Sequence, residues 1–174
     1  SYLPKKKFKR GNQIVKLEQS DDFDDINFIP LDTKAILDGV QDDLIDRVYN
    51  KVLGSKQNIV LIGMPSCGKS TVGRLLAEKL GRPFYDTDKI IEEKTGRQCA
   101  EIIRNDGEAV FRNIESQVTL EVSKLSSVVI ATGGGAVISE ANRDNLHKNG
   151  TIWFIDRPIE KLITTANRPL SSDR

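Results

Sequence analysis

The stretch that most constrains this chain is the octapeptide Gly63-Met64-Pro65-Ser66-Cys67-Gly68-Lys69-Ser70, with Thr71 behind it. Four aliphatic residues, Ile59-Val60-Leu61-Ile62, precede it, and a helix-patterned segment follows to about Leu80. The order is strand, glycine loop, helix. Glycines at the first and sixth positions let the backbone curl with its N–H groups turned inward, a nest for phosphate oxygens. A helix starting at Lys69 adds unpaired N–H groups and its positive dipole end. Lys69 can reach terminal phosphates, and the Ser70 hydroxyl can ligate Mg²⁺. A glycine turn could match this spacing by chance, but the flanking strand and helix argue against that. The expectation is a site for a nucleoside triphosphate with Mg²⁺ on Gly63, Met64, Pro65, Ser66, Cys67, Gly68, Lys69, Ser70 and Thr71.

Length and charge exclude several other classes. The 174 residues carry 38% apolar and 29% charged side chains with a formal charge of +1. A packed core is feasible, and no global field favours nucleic acid or a membrane surface. No apolar run is long enough to span a bilayer. The basic run Lys5, Lys6, Lys7, Lys9 and Arg10 could touch phosphate backbones. A solvated tail paired with the acidic run Asp21, Asp22, Asp24 and Asp25 is the preferred explanation. Cys67 and Cys99 have no metal-like spacing, and a disulfide from inside the glycine loop would be odd, so a reducing cytoplasm is expected. His147 lies in a polar helical segment and reads as a surface residue.

Residues 1–30 read as tail or linker. From Asp32, Leu37, Val40, Leu44, Val48 and Val52 recur at helical spacing, with Gly54 as a stop and Asp32 or Thr33 as a cap. After the glycine-loop helix come a short strand at Phe84-Tyr85 and helical patterns at about 89–95, 99–105 and 107–125. A strand at Val128–Ala131, the loop Gly133–Gly135, a helix at about 139–148, a strand at Thr151–Ile155 and a short helix from Pro158 complete the pattern. Such alternation indicates an α/β fold with a parallel sheet covered by helices on both faces. Ligands of such sheets bind beyond the C-terminal strand ends. The glycine loop, Asp86-Thr87-Asp88 and Gly133–Gly135 each follow a strand end.

Asp86 and Asp88 can divide two tasks, one holding Mg²⁺ and the other taking a proton or hydrogen bond from a hydroxyl; an Asx turn capping the next helix also fits. Gly133-Gly134-Gly135 lets a small ligand lie on bare backbone, or is simply a flexible turn. Arg112 and Glu115 share one helical face, where a carboxylate can orient a guanidinium toward a substrate carboxylate. Taken alone, a surface ion pair would explain them as well.

In order and spacing, five motifs resemble the shikimate kinase family: Gly63–Thr71, Phe84–Asp88, Gly107–Glu115, Ala131–Gly135 and Arg168-Pro169-Leu170. The resemblance covers residue 57 to the end. It implies a three-layer P-loop kinase fold of the nucleoside-monophosphate-kinase type and transfer of the ATP γ-phosphate to the 3-hydroxyl of shikimate. It further implies that Lys69 stabilises the transferring group, with Ser70 and Asp86 on the metal. Asp88 would face the hydroxyl, and Arg112 with Glu115 the carboxylate. Gly133, Gly134 and Gly135 would meet the ring hydroxyls, and Arg168 would close as part of a lid. Family members continue into a further helix and a last strand, so the sheet is expected to lack that strand here. The expected division is 1–56, a tail with one amphipathic helix, and 57–174, the kinase domain. Because the chain begins at Ser1 and stops near the lid, it is expected to be part of a longer polypeptide, with covalently fused domains as possible partners. Two rivals remain: another small-molecule P-loop kinase such as gluconate kinase, and a catalytically silent ATP-binding module.

Overall fold

The computed structural model describes residues 7–10, 13–16, 27–30, 41–52 and 54–156. Arg168, the helix expected from Pro158, the cap at Asp32 or Thr33 and the acidic run at 21–25 lie outside them. Strands β1 (Lys7–Arg10) and β2 (Gln13–Lys16) form a separate antiparallel pair. The main sheet holds β3 (Asn27–Pro30), β4 (Asn58–Gly63), β5 (Phe84–Asp86), β6 (Val129–Ala131) and β7 (Gly150–Asp156). Its order is β3-β7-β4-β6-β5, and every pairing is parallel.

β4 is buried on both faces, which explains its unbroken aliphatic run. Ile59 and Leu61 face one core layer with Val72 and Leu76 of α2 (Lys69–Leu80), together with Trp153 and Ile155 of β7. Val60 and Ile62 face the other, with Val122 of α5 (Glu108–Ser123) and Leu146 of α6 (Glu140–Lys148). Sheet between two helical layers is the α/β architecture expected. A satellite core of Ile91, Cys99, Ile102, Phe111 and Val118 joins α3 (Thr87–Thr95), α4 (Cys99–Asp106) and α5 beside the strand ends.

The N-terminal region takes part in this packing. Asn27–Pro30, inside the stretch whose composition reads as tail, pairs along the outer edge of β7 from Asn27↔Trp153 to Pro30↔Asp156. The helix read from Leu37 onward is described as α1 (Gln41–Val52), and its Ile45 and Val52 join the core layer that holds Leu61 and Trp153. Asp46 of α1 pairs with Lys79 of α2. Burying an apolar stripe, rather than composition, decides where such a segment goes.

Two contacts set the geometry at the strand ends. Gly73 of α2 lies against the Phe84 ring so closely that an added Cβ would be 2.4 Å from Cε2. The helix therefore sits tightly on β5. The buried Asn58 side chain donates to Leu125 O (2.6 Å) and accepts from Val128 N (3.2 Å), which fixes the approach to β6.

Candidate active site

The loop after β4 adopts the nest expected of it. Gly63 (φ 148°) and Gly68 (φ 102°) are in regions open to glycine, and Ser66 also has a positive φ of 62°. At Gly63 a Cβ would meet Ile155 O at 2.6 Å, so both space and backbone angle require glycine. No side chain caps the start of α2, and its first N–H groups face the loop. Lys69 is 5% exposed and donates from Nζ to Gly63 O (3.0 Å) and Met64 O (2.8 Å). Its ammonium thus sits inside the loop. Thr71, next along, is exposed.

Tight packing of α2 on β5 brings the Ser70 hydroxyl to Asp86, donating to Oδ2 at 2.6 Å. The other oxygen, Asp86 Oδ1, accepts from Asp88 N (3.1 Å) and caps α3. The Asx cap is thus made by one oxygen of Asp86, and the other oxygen takes the Ser70 hydroxyl. A hydroxyl and a carboxylate oxygen side by side are hard donors suited to Mg²⁺.

Each glycine of the Gly133–Gly135 loop admits a different functional element. A Cβ on Gly133 would be 2.6 Å from Asp88 Oδ1 and 2.7 Å from Glu115 Oε1. On Gly134 it would be 2.7 Å from Pro65 Cγ in the phosphate loop, and on Gly135 2.6 Å from Arg112 Nη2. None of the three has a positive φ, so closeness rather than flexibility is what they supply. Sequence reasoning took the bare backbone as a bed for ligand. In the structure the same bare backbone also draws protein side chains together.

Arg112 and Glu115 pair through Nη1 and Oε2 at 2.6 Å, and Glu115 is 1% exposed. A buried carboxylate with this partner is not the surface pair that spacing alone would allow. Carboxylates dominate the local field. Burial first, then the charges of Asp88, Glu92, Glu115 and Asp86, push the Cys99 thiol well above its usual range. Its Sγ–H donates to Asp88 O at 3.5 Å.

The structure therefore gathers Gly63–Ser70, Asp86, Asp88, Arg112, Glu115 and Gly133–Gly135 beyond the C-terminal ends of the strands; Arg168 lies outside the described residues. Sequence reasoning missed three neighbours. Thr87 is buried and its Oγ1 accepts from Gly133 N (2.9 Å), tying the Asp turn to the glycine loop. Cys99 holds the Asp88 carbonyl. Glu108 contacts Arg112, and its i,i+4 spacing was the available signal.

A phosphate nest with a hard-donor pair on one side, and a guanidinium among acidic groups across a shared glycine wall, is what transfer of a phosphoryl group to a small acid requires. The class is a P-loop kinase. The shikimate kinase family model matches residues 65–174. The shikimate kinase of Clostridium botulinum (strain Eklund 17B / Type B) is 48% identical over 118 residues, covering 66% of this chain and 71% of that protein. That of Gloeobacter violaceus is 49% identical over 106 residues, 61% of this chain and 59% of the relative. Among solved structures, shikimate kinase from Acinetobacter baumannii in complex with shikimate superposes with a TM-score of 0.60 at 42% identity, over 63% of this chain and 62% of that one. The Aquifex aeolicus enzyme gives 0.59 at 38% identity, over 66% and 71%. The chain belongs to the shikimate kinase family. Membership places it among the ATP- and Mg²⁺-dependent kinases of aromatic amino-acid biosynthesis. No helix among the described residues is long and apolar enough to cross a membrane.

Proposed function

We propose that this chain carries the active site for transfer of the ATP γ-phosphoryl group to the 3-hydroxyl of shikimate. The observation that supports this most is the glycine loop, which packs Asp88 with Glu115, Pro65 and Arg112 against three successive residues. Donor and acceptor halves thereby share one rigid wall, and phosphoryl transfer depends on positioning and charge more than on covalent help. ATP with Mg²⁺ supplies the phosphoryl group and neutralises charge on its oxygens.

The chain's own residues do the rest. The N–H groups of Gly63–Ser70 bind phosphate oxygens, and Lys69 offers its ammonium to charge growing on the transferring group. Ser70 and Asp86, side by side at the loop, would hold the metal. Asp88 orients the acceptor hydroxyl and takes its proton. Arg112, steadied by Glu115, pairs with the substrate carboxylate. The family resemblance assigns Arg168 to the phosphates as well. Two buried thiols, Cys67 and Cys99, support a reducing cytoplasm as the working compartment, and further fused domains are proposed partners in the polypeptide.

A coupled ADP-release assay on the natural full-length protein tests the proposal. Shikimate-dependent release is expected. ATP binding without turnover would mark a silent nucleotide-binding module, and gluconate-dependent release would move the acceptor to another polyol acid; either overturns the proposal.

A further inference from the structure

Arg112 carries more negative charge than a substrate-binding guanidinium can keep. Besides Glu115 on Nη1, Glu108 Oε1 accepts from both Nε and Nη2, each at 3.2 Å. Gly135 closes one face of the guanidinium plane, so an incoming group must approach along an edge. Of the five guanidinium N–H groups, these contacts use three, so donors remain. Charge is the obstacle. One cation facing two carboxylates is already overcompensated, and a third carboxylate would meet net repulsion. The two partners differ in how firmly they are held. Glu115 is 1% exposed at the glycine wall, while the Glu108 side chain is 45% exposed in the first turn of α5. Glu108, the more exposed of the two, is the one that water can more readily replace.

We propose that Glu108 is an exchangeable carboxylate that occupies the outer edge of Arg112 and is displaced by the carboxylate of the substrate. It keeps the guanidinium flat over Gly135 and sets a threshold that only a carboxylate ligand overcomes. Glu108 thus tunes affinity and selectivity through Arg112. This inference rests on the proposed pairing of Arg112 with the substrate carboxylate.

The test compares Glu108→Gln with the unaltered full-length protein, using shikimate and, as a neutral probe, shikimate methyl ester. An exposed i,i+4 ion pair contributes about 0.2–0.5 kcal/mol, so its removal lowers KM for shikimate roughly 1.4- to 2.3-fold. KM for ATP and kcat/KM for the ester should change less than about 1.2-fold, a margin on the order of 0.1 kcal/mol. An unchanged or raised KM for shikimate overturns the inference, since Glu108 would then be a bystander or a fixed clamp. An equal gain for the ester overturns it too, because relief of charge repulsion requires a charged ligand. Arg112→Lys separates the two layers: a raised KM for shikimate upholds the pairing even when Glu108→Gln fails. An unchanged KM for shikimate in Arg112→Lys overturns the pairing and the inference with it.

Discussion

Gly133→Ala probes the arrangement at its tightest point. The new methyl would lie 2.6 Å from Asp88 Oδ1 and 2.7 Å from Glu115 Oε1, short of ordinary 3.4 Å contact by about 0.8 and 0.7 Å. Both obstacles are ends of side chains, which can yield by rotating. An off-rotamer torsion costs about 0.5–1.5 kcal/mol. Two such torsions cost about 1–3 kcal/mol together, and for a chain of this size each kcal/mol lowers Tm by about 2–4 °C, so Tm should fall by roughly 2–12 °C. The chemistry should lose more, because the yielding atoms are those assigned to the acceptor hydroxyl and to Arg112. A 1 Å misplacement of reacting groups costs up to ~10²-fold in rate, so kcat should fall on the order of 10- to 100-fold. The assay is ADP release at saturating ATP and shikimate, with Tm measured on the same preparation. Gly134→Ala is the control. Its methyl meets the Pro65 ring at 2.7 Å and Pro65 N at 3.0 Å, rigid atoms that cannot rotate away, so about 1–3 kcal/mol of stability should be lost. Wild-type kcat in Gly133→Ala, or a rate loss that merely follows unfolding, would refute the reasoning.

Three further outcomes are expected. Lys69→Met should lower kcat on the order of 10²–10³-fold with the fold intact, since one cation facing growing charge is lost; near-normal turnover would remove the phosphate-loop role. Asp88→Asn should lower kcat far more than it raises KM for ATP, and the reverse pattern in steady-state kinetics would reassign that carboxylate. The Cys99 thiol, raised by burial and four carboxylates, stays protonated in the fold while the unfolded chain ionises near 9.0. Its contribution is full below that value and falls as pH rises above it, by up to about 1.36 kcal/mol per pH unit. Thermal melts between pH 8 and 10 should therefore be steeper for the native protein than for Cys99→Ala, and identical slopes would contradict this.

The sequence alone determined the local parts. Spacing from Gly63 to Ser70, with a fully apolar strand before it and an amphipathic helix after it, specifies a phosphate nest because few other backbones satisfy those residues. Alternating strands and helices likewise specify a parallel sheet, since apolar strands need cover on both faces. Asp86 at a strand end was legible as cap or ligand, but local pattern could not show that one oxygen caps α3 while the other takes the Ser70 hydroxyl. That required the height of α2 on β5, set by Gly73 against Phe84. The burial of Glu115, the three contacts of the glycine loop and the hold of Cys99 on Asp88 were equally hidden. Each depends on residues far apart in the chain meeting beyond the C-terminal ends of the strands. The N-terminal region shows the limit most clearly. The polar, charged composition of residues 1–30 reads as tail, yet Asn27–Pro30 pairs with β7, while the amphipathic helix legible in the sequence finds its partner only in the fold, where Ile45 and Val52 are buried. Unpaired backbone along β7 and uncovered apolar surface beside Trp153 create that demand, and both arise only once the sheet exists.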